Sequence, residues 1–545
     1  MKAISMLLEE RKWAFLLIFF ILLFNPIFYF WADEIQLKDK CFAWLICIVA
    51  GLAFSTIDLF LKKTGEKIYL GILFLLSLPG NIIVWTYLYL SNLYMKRDIF
   101  WVIFDTDPAE SQEYLSHFIT WPIILGAALY VVLGTFFFFK IRAKHVLPIK
   151  KNRIFFFVPI LVVLTTISFQ YLSQALPIFE FYKSYYLYER ESWLFHKEKE
   201  LRSHLIMDVQ CTLPDSTNHV FIILLGESTT SCHMSLYGYF RETTPRMDAR
   251  SEELDIYTDV ITPDTHTFGV MQKVLTFASH EHPEYYKEKA SIVEIFNAAG
   301  FETYWISNKS FLTKWGGSYG VIADQAKHIY DLSVAKGTDE LVLPPLKEIL
   351  NDGIKANKII FIHVMGNHHT YVSRYPKSFS HFDYKRDNDL PDLGFRNDKM
   401  KKTIDEFDNS ILYGDFVYDS IIEKLKQLNT SSYLLFFSDH GEEVYDTRDA
   451  NGHFMSNVYP CQSQIPFVLW RSDKYKEENP DIVIDTARAY SIEDVIYSIS
   501  TLSGLDYKDN NQTLSIFSPD YVAPTKRLVG KEDYEEILKK LGIKN

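Results

Sequence analysis

The sequence predicts an α/β protein carried on a membrane domain: five transmembrane helices at the amino-terminal end, then an exported α/β domain with a mostly parallel sheet. Three features predict it. Long, nearly charge-free apolar runs fill the first third, short apolar runs alternate with helical segments in the rest, and reactive side chains recur just after those short runs. At 545 residues the chain is long enough for two or three domains.

Trp13 to Ala32 contains 20 residues without a charge. A helix rising about 1.5 Å per residue crosses about 30 Å of hydrocarbon with that length. Similar runs follow at Cys41 to Leu61, Ile68 to Leu93, Phe118 to Phe139 and Ile154 to Leu172, interrupted only by Asp58. Five such runs exceed what a cleaved signal peptide or a soluble core requires. Lys and Arg crowd alternate short loops, at Lys2, Arg11 and Lys12, at Lys62, Lys63 and Lys67, and from Lys140 to Arg153, whereas Asp105, Asp107, Glu110 and Glu113 occupy a loop between them. By the positive-inside rule the amino terminus is cytoplasmic and everything after Leu172 is exported. Residues 1–174 then form the membrane domain and residues 175–212 an aromatic-rich linker. In that linker Phe179, Tyr182, Tyr185 and Trp193 suit either the bilayer interface or a packed helix. Residues 213–545 form the exported domain.

A net charge of −12 speaks against a nucleic-acid partner, which requires a basic stripe. The five cysteines, Cys41, Cys47, Cys211, Cys232 and Cys461, show no disulfide framework; two lie in an apolar run and the other three can hold at most one bridge.

In the exported domain, His219 to Leu225, Thr303 to Ile306, Lys358 to His363, Tyr433 to Phe437 and Pro466 to Trp470 read as buried strands, with helices at Ser291 to Ala299 and Leu412 to Leu428. The charge-rich stretch from Lys377 to Lys402 reads as a long surface loop. Ligands gather at the carboxyl ends of strands in open α/β sheets. Glu227 follows the first strand, Met365-Gly-Asn-His368 the middle one, and Ser438-Asp-His-Gly-Glu-Glu443 the fourth; His453 lies before the last. Glu227, Asp439, His440 and one further oxygen match a tetrahedral zinc site of catalytic type. Thr265 and Thr267 can supply that oxygen. A threonine hydroxyl is a poor nucleophile until a cation lowers its pKa.

The string GESTTSCHMSLYGYFRETTPRM, Gly226 to Met247, with MGNH at Met365, DNSILYGDFVY before Asp419 and SDHGEE, resembles the phosphoethanolamine transferases of Gram-negative inner membranes, in the alkaline phosphatase and sulfatase superfamily. The resemblance covers nearly the whole chain. It implies an alkaline-phosphatase-like α/β/α sandwich in the periplasm and a multi-pass anchor in the cell inner membrane. It assigns one catalytic zinc, with room for a second, to Glu227, Thr267, Asp439 and His440. Thr267, the second threonine of its T-x-T pattern, becomes the covalently modified residue. His368 and His453 correspond to histidines around the transferred phosphate, serving substrate binding and proton transfer, and Ser310 and Lys314 to its phosphate contacts. In the outer loop Thr106 and Glu110 match residues that hold an ethanolamine head, Glu110 by opposite charge, while Val102 stands where the family has asparagine. Lipid A modifying members brace the threonine loop with cysteines, which this chain lacks, so a core heptose, glucan or other surface glycan is favoured as acceptor.

The expected reaction is a two-step transfer by a monomer: phosphatidylethanolamine donates, diacylglycerol leaves, and a lipopolysaccharide core, lipid A or similar acceptor takes the group from phosphothreonine. The alternative is a phosphoglycerol transferase or a membrane-tethered sulfatase or phosphatase on the same zinc edge. A further alternative is a transporter or sensor with an inactive outer domain, against which every expected ligand is retained.

Overall fold

The computed structural model describes residues 9–32, 35–91, 95, 99–100, 103–104, 112, 119–141, 176–202, 208–214, 218–309, 318–335, 337–453 and 458–543. Two compact units divide the chain, Met1–Glu191 and Ser192–Asn545.

In the first unit, α1 (Lys12–Phe28), α2 (Leu37–Asp58), α3 (Lys63–Ser91) and α4 (Trp121–Lys140) are each long and apolar enough to cross a membrane. The expected fifth span, residues 154–172, lies outside the described residues, as do Val102, Thr106 and Glu110. The first helix packs against the other three. Polar side chains between apolar helices must find partners, because hydrocarbon offers none. Asn25 of α1 accordingly donates to the Asn81 side chain of α3 at 3.0 Å, and Asn81 donates to the Tyr130 hydroxyl of α4 at 2.8 Å. Buried Arg11 pairs with Asp58 at 3.0 Å and Glu66 at 3.4 Å. A fifth helix, α5 (Pro177–Arg202), covers most of the aromatic linker and exposes Tyr186 and Trp193.

The second unit is built on a seven-stranded sheet of β1 (His219–Gly226), β2 (Leu254–Ile256), β3 (Glu302–Ser307), β4 (His328–Asp331), β5 (Lys358–His363), β6 (Ser431–Ser438) and β7 (Phe467–Arg471), in the order β2-β7-β6-β1-β5-β3-β4. It is mixed. Strands β1, β3, β4, β5 and β6 run parallel to one another, but β7 is antiparallel to both β6 and β2. The expected sheet is mostly parallel, and β7 is the one strand of the seven that runs against the rest; apolar content marks residues 466–470 as a buried strand but carries no direction. The two edge strands, β2 and β4, are short and half-exposed, without the apolar run that marks the others.

Alternate residues of β1 feed two cores. Phe221, Ile223 and Leu225 join α6 (Thr267–Val274) and α7 (Ile292–Ala298) on one face; Val220, Ile222 and Leu224 join α8 (Asp398–Lys426) on the other. Each fully buried aliphatic side chain contributes about 1.5–3 kcal/mol. Ser291 and Glu294 cap α7 reciprocally. Helix α8 begins earlier than its periodicity suggests, inside the charge-rich stretch expected to be loop, because Asn397 caps it at Lys399 and Met400 and its first turn carries mostly exposed charged residues. Among the described strands β1, β3, β5 and β6 end at one edge of the sheet, and the segments beyond them build the site.

Candidate active site and metal centre

The chain leaves β1 through a sharp turn. Ser228 adopts φ 56°, a left-handed conformation uncommon for a residue with a side chain. The turn leaves Glu227 fully buried at the end of the central strand. The following loop of β5 closes against it: Gly366, at φ 50°, has no room for a side chain, since a Cβ would lie 2.6 Å from the Glu227 carbonyl oxygen. The backbone N–H of Asn367 donates to that carbonyl at 2.8 Å.

Asp439 and His440 emerge from β6 beside Glu227. One Asp439 oxygen, Oδ1, accepts from the backbone N–H groups of Ser228 at 3.1 Å and His440 at 2.7 Å. Its other oxygen, Oδ2, and the Nε2 of His440 are buried without a hydrogen-bond partner. Nε2 lies 3.5 Å from Glu227 Oε1 and 3.6 Å from Asp439 Oδ2, while Nδ1 lies 2.9 Å from the Gly441 carbonyl. A carbonyl only accepts, so Nδ1 carries a proton and Nε2 is the atom available to a ligand. Ligand atoms of Glu227, Asp439 and His440 lie within 4.8 Å of one another. Two carboxylates and an imidazole with inward-facing orphan atoms fit a divalent zinc-type cation.

Electrostatics agree with that fit. Burial would raise the Glu227 carboxyl, but Lys309, then the His440 and His368 imidazoles, hold it well below the ordinary carboxylate range. Burial, then the charge of Glu227, raises Asp439. For His440, burial opposes the cation, yet Asp439 and Glu227 outweigh it and push the pKa up to about 10. The cluster thus carries excess negative charge that a proton or a metal ion must answer.

Thr267 is the first residue of α6, and its hydroxyl donates to both Glu227 oxygens, at 3.1 and 3.2 Å. The free N–H groups of that first turn favour negative charge at the same place. Thr265, by contrast, is buried with its hydroxyl 3.1 Å from His266 Nδ1. Its loop is tied to the metal edge through Thr262, whose hydroxyl bonds the carbonyls of Asp264, at 2.9 Å, and Asp439. His368 sits half-buried on the turn after β5, its carbonyl held by Arg374 Nε at 3.0 Å; burial, then Lys309, pushes its pKa well down. The His453 ring lies 4.3 Å from that of His440 and 4.9 Å from that of His266. Expected phosphate contacts Ser310 and Lys314 lie outside the described residues. The described neighbour Lys309 reaches Glu227 Oε2 at 2.7 Å. Two further groups of possible ligands exist among the described residues, His440-Glu442-His453 and Glu443-Asp446-Cys461, but Cys461 of the latter is bonded to Cys232.

A family model for sulfatases matches residues 219–505. Phosphoethanolamine transferase EptC of Escherichia coli (strain K12) is 29% identical over 502 residues, covering 86% of each chain. The crystal structure of the C-terminal periplasmic domain of the E. coli protein in complex with Zn aligns with 33% identity and a TM-score of 0.56, covering 60% of this chain and 92% of that one. The chain belongs to the phosphoethanolamine transferases of the sulfatase family. The integral membrane lipooligosaccharide phosphoethanolamine transferase A of Neisseria meningitidis matches 92% of this chain and 98% of its own with a TM-score of 0.61, and at 18% identity shows shared fold alone.

Much of the transferase's signature string is scaffold. Thr229 donates to Asn367 at 2.6 Å and Asn367 to Ser410 of α8 at 2.6 Å. His233 is clamped between Asp408 at 2.6 Å and Asp446 at 2.8 Å, and Arg241 bonds Asp408 and Asp389. These contacts fasten the loop after β1 to α8 and to Asp446, beyond the Asp439-His440 pair. Cys232 and Cys461 form a disulfide across 229 residues, joining that loop to the segment before β7. The threonine loop has no cysteine brace, and the bridge stands elsewhere. Two site residues escaped the sequence reading of the transferase. Lys309 lies two residues beyond the end of β3, where a lysine is ordinary, and Glu442 stands beside the more conspicuous Asp439-His440 pair.

Proposed function

We propose that the protein is a zinc-dependent enzyme that moves phosphoethanolamine from phosphatidylethanolamine through a phosphothreonine at Thr267 to a cell-surface glycolipid or glycan, releasing diacylglycerol. The observation that carries this reading is the Thr267 hydroxyl donating to both oxygens of Glu227 inside the Glu227-Asp439-His440 cluster. It is supported by the zinc in the E. coli relative's periplasmic domain. Zinc held by Glu227, Asp439, His440 and Thr267 supplies Lewis acidity, lowering the threonine pKa and neutralising phosphoryl charge.

The chain's own groups do the rest. Glu227 holds the threonine oxygen in place, and the amino end of α6 faces its developing charge. The Lys309 ammonium, with His368, stabilises the phosphoryl oxygens. His453 gives a proton to the departing diacylglycerol oxygen and takes one from the acceptor. Ser310 and Lys314 add phosphate contacts, and Thr106 and Glu110 hold the ethanolamine head. In this reading five spans place the second unit on the periplasmic side of the inner membrane, and the aromatic helix α5 rides at the bilayer surface at the depth of a lipid head group. The acceptor is lipopolysaccharide core, lipid A or a related glycan, and the enzyme acts as a monomer.

The test is mass spectrometry of the proteolytic peptide bearing Thr267 after incubation of the full-length protein with phosphatidylethanolamine. The peptide gains a phosphoethanolamine group, and Thr267→Ala abolishes both the adduct and diacylglycerol release. An unmodified peptide from a preparation that releases diacylglycerol overturns the covalent scheme.

A further inference from the structure

A short hairpin carries His453 over the metal edge. Its strands, Glu443–Val444 and Asn451–Gly452, pair antiparallel with Asn451 opposite Val444 and Gly452 opposite Glu443. One step further along this ladder, Glu442 and His453 face each other. Glu442 is 1% exposed, and its Oε2 lies 2.9 Å from His453 Nδ1. Its other oxygen, Oε1, accepts from the Tyr371 hydroxyl at 3.0 Å, and the same hydroxyl lies 2.9 Å from Asn451 Oδ1. Tyr371 is buried three residues after His368, so this hydroxyl joins the turn of one histidine to the hairpin of the other. Burial, then the neighbouring Glu442 charge, pushes the Tyr371 pKa well up and keeps it a donor.

A carboxylate that receives Nδ1–H fixes which nitrogen of an imidazole reacts. We propose that Glu442, held by Tyr371, is a positioning residue that sets the ring orientation and tautomer of His453, so that its Nε2 faces the transferring phosphoryl group. This rests on the transferase reading above. In the first half-reaction the Thr267 oxygen, its proton already lost to solvent, bonds to phosphorus as the bond to diacylglycerol oxygen breaks, and that oxygen takes the Nε2 proton of His453. In the second, the acceptor hydroxyl gives its proton back to Nε2 as its oxygen bonds to phosphorus and the Thr267 oxygen departs as the anion that entered. Both steps need the same nitrogen in the same direction. A ring free to rotate about its side-chain bonds offers that only part of the time.

The experiment is a double-mutant cycle on the full-length protein in detergent with phosphatidylethanolamine, reading diacylglycerol release, KM and zinc content. Glu442→Gln lowers kcat by about 10- to 100-fold, the range for outer residues that orient a histidine, with KM for the lipid and bound zinc unchanged. In a His453→Ala background the same substitution costs less than about twofold, because the group it acts through is gone. Tyr371→Phe, which removes one hydroxyl, follows the same pattern with a smaller loss and serves if Glu442→Gln fails to fold. An equal loss in both backgrounds assigns Glu442 to structure and overturns the proposal. Loss of zinc from Glu442→Gln also overturns it, by making Glu442 a metal ligand. A wild-type protein that releases no diacylglycerol and takes no label on Thr267 fails the transferase reading instead, so the two failures are distinguishable.

Discussion

Lys309 is a buried ammonium 2.7 Å from the carboxylate that also receives the Thr267 hydroxyl. In the proposed transfer a cation at that place acts where phosphoryl charge develops, so Lys309→Met is expected to lower kcat/KM by about 100-fold with zinc content equal to that of the wild type, as measured by steady-state kinetics and metal analysis. His233 makes a different prediction. Burial opposes its charge, but Asp446 and Asp408 outweigh that and push its pKa up to about 10, above the ordinary value of 6.5. A group whose pKa rises on folding stabilises the fold fully below its unfolded pKa and stops doing so as pH climbs through the folded one. Denaturant midpoints are therefore expected to fall between about pH 6.5 and pH 10, and His233→Gln to lower stability at neutral pH while flattening that slope. At this scale the sequence was legible where chemistry is rare. Glu227, Asp439 and His440 follow buried strands directly, and strand ends are where ligands collect. Lys309 was not legible, because a lysine near a strand end is ordinary and only its burial distinguishes it.

At the scale of elements, the loop after β1 is the piece on which the others depend. It carries Glu227 at its start, His233 and Arg241 along it, and Cys232 in the bridge to Cys461. Cross-linking residues so far apart removes much chain entropy from the unfolded state, so Cys232→Ser is expected to cost about 2–4 kcal/mol in urea unfolding. Reduction of the wild type should produce a matching loss. Neither the bridge nor the direction of β7 was available from the pattern of residues, because pairing of distant cysteines and strand polarity are both set by how the sheet brings segments together. The five apolar runs read as strands were correctly placed, because a strand buried on both faces leaves a continuous apolar run. The missed edge strands β2 and β4 leave no such run.

Over the whole molecule, the second unit gathers its site from segments that begin at residues 227, 267, 309, 368, 439 and 453, and at its centre two carboxylates and an imidazole bring ligand atoms within 4.8 Å of one another. A cation that binds the folded but not the unfolded chain stabilises it by mass action, by about 4 kcal/mol at a thousandfold excess over Kd. Chelation is therefore expected to abolish activity and lower the melting temperature of the full-length protein, and added zinc to restore both, as followed by calorimetry and diacylglycerol release. The first unit follows from simpler rules: four runs of apolar residues became four helices of spanning length, with Asn25, Asn81 and Tyr130 paired between them.

Local chemistry alone determined the spanning helices, the buried strands and the identity of the ligand types, because periodicity, hydropathy and strand-end position act over a few neighbouring residues. The resemblance chose Thr267 over Thr265, and the contact with Glu227 agrees; tertiary structure alone decided that Lys309 reaches Glu227, that Glu442 grips His453, and that Cys232 finds Cys461. Each is a contact between segments far apart in the chain or a choice between adjacent side chains. Such choices are made by the packing of one segment against another, which no local pattern encodes.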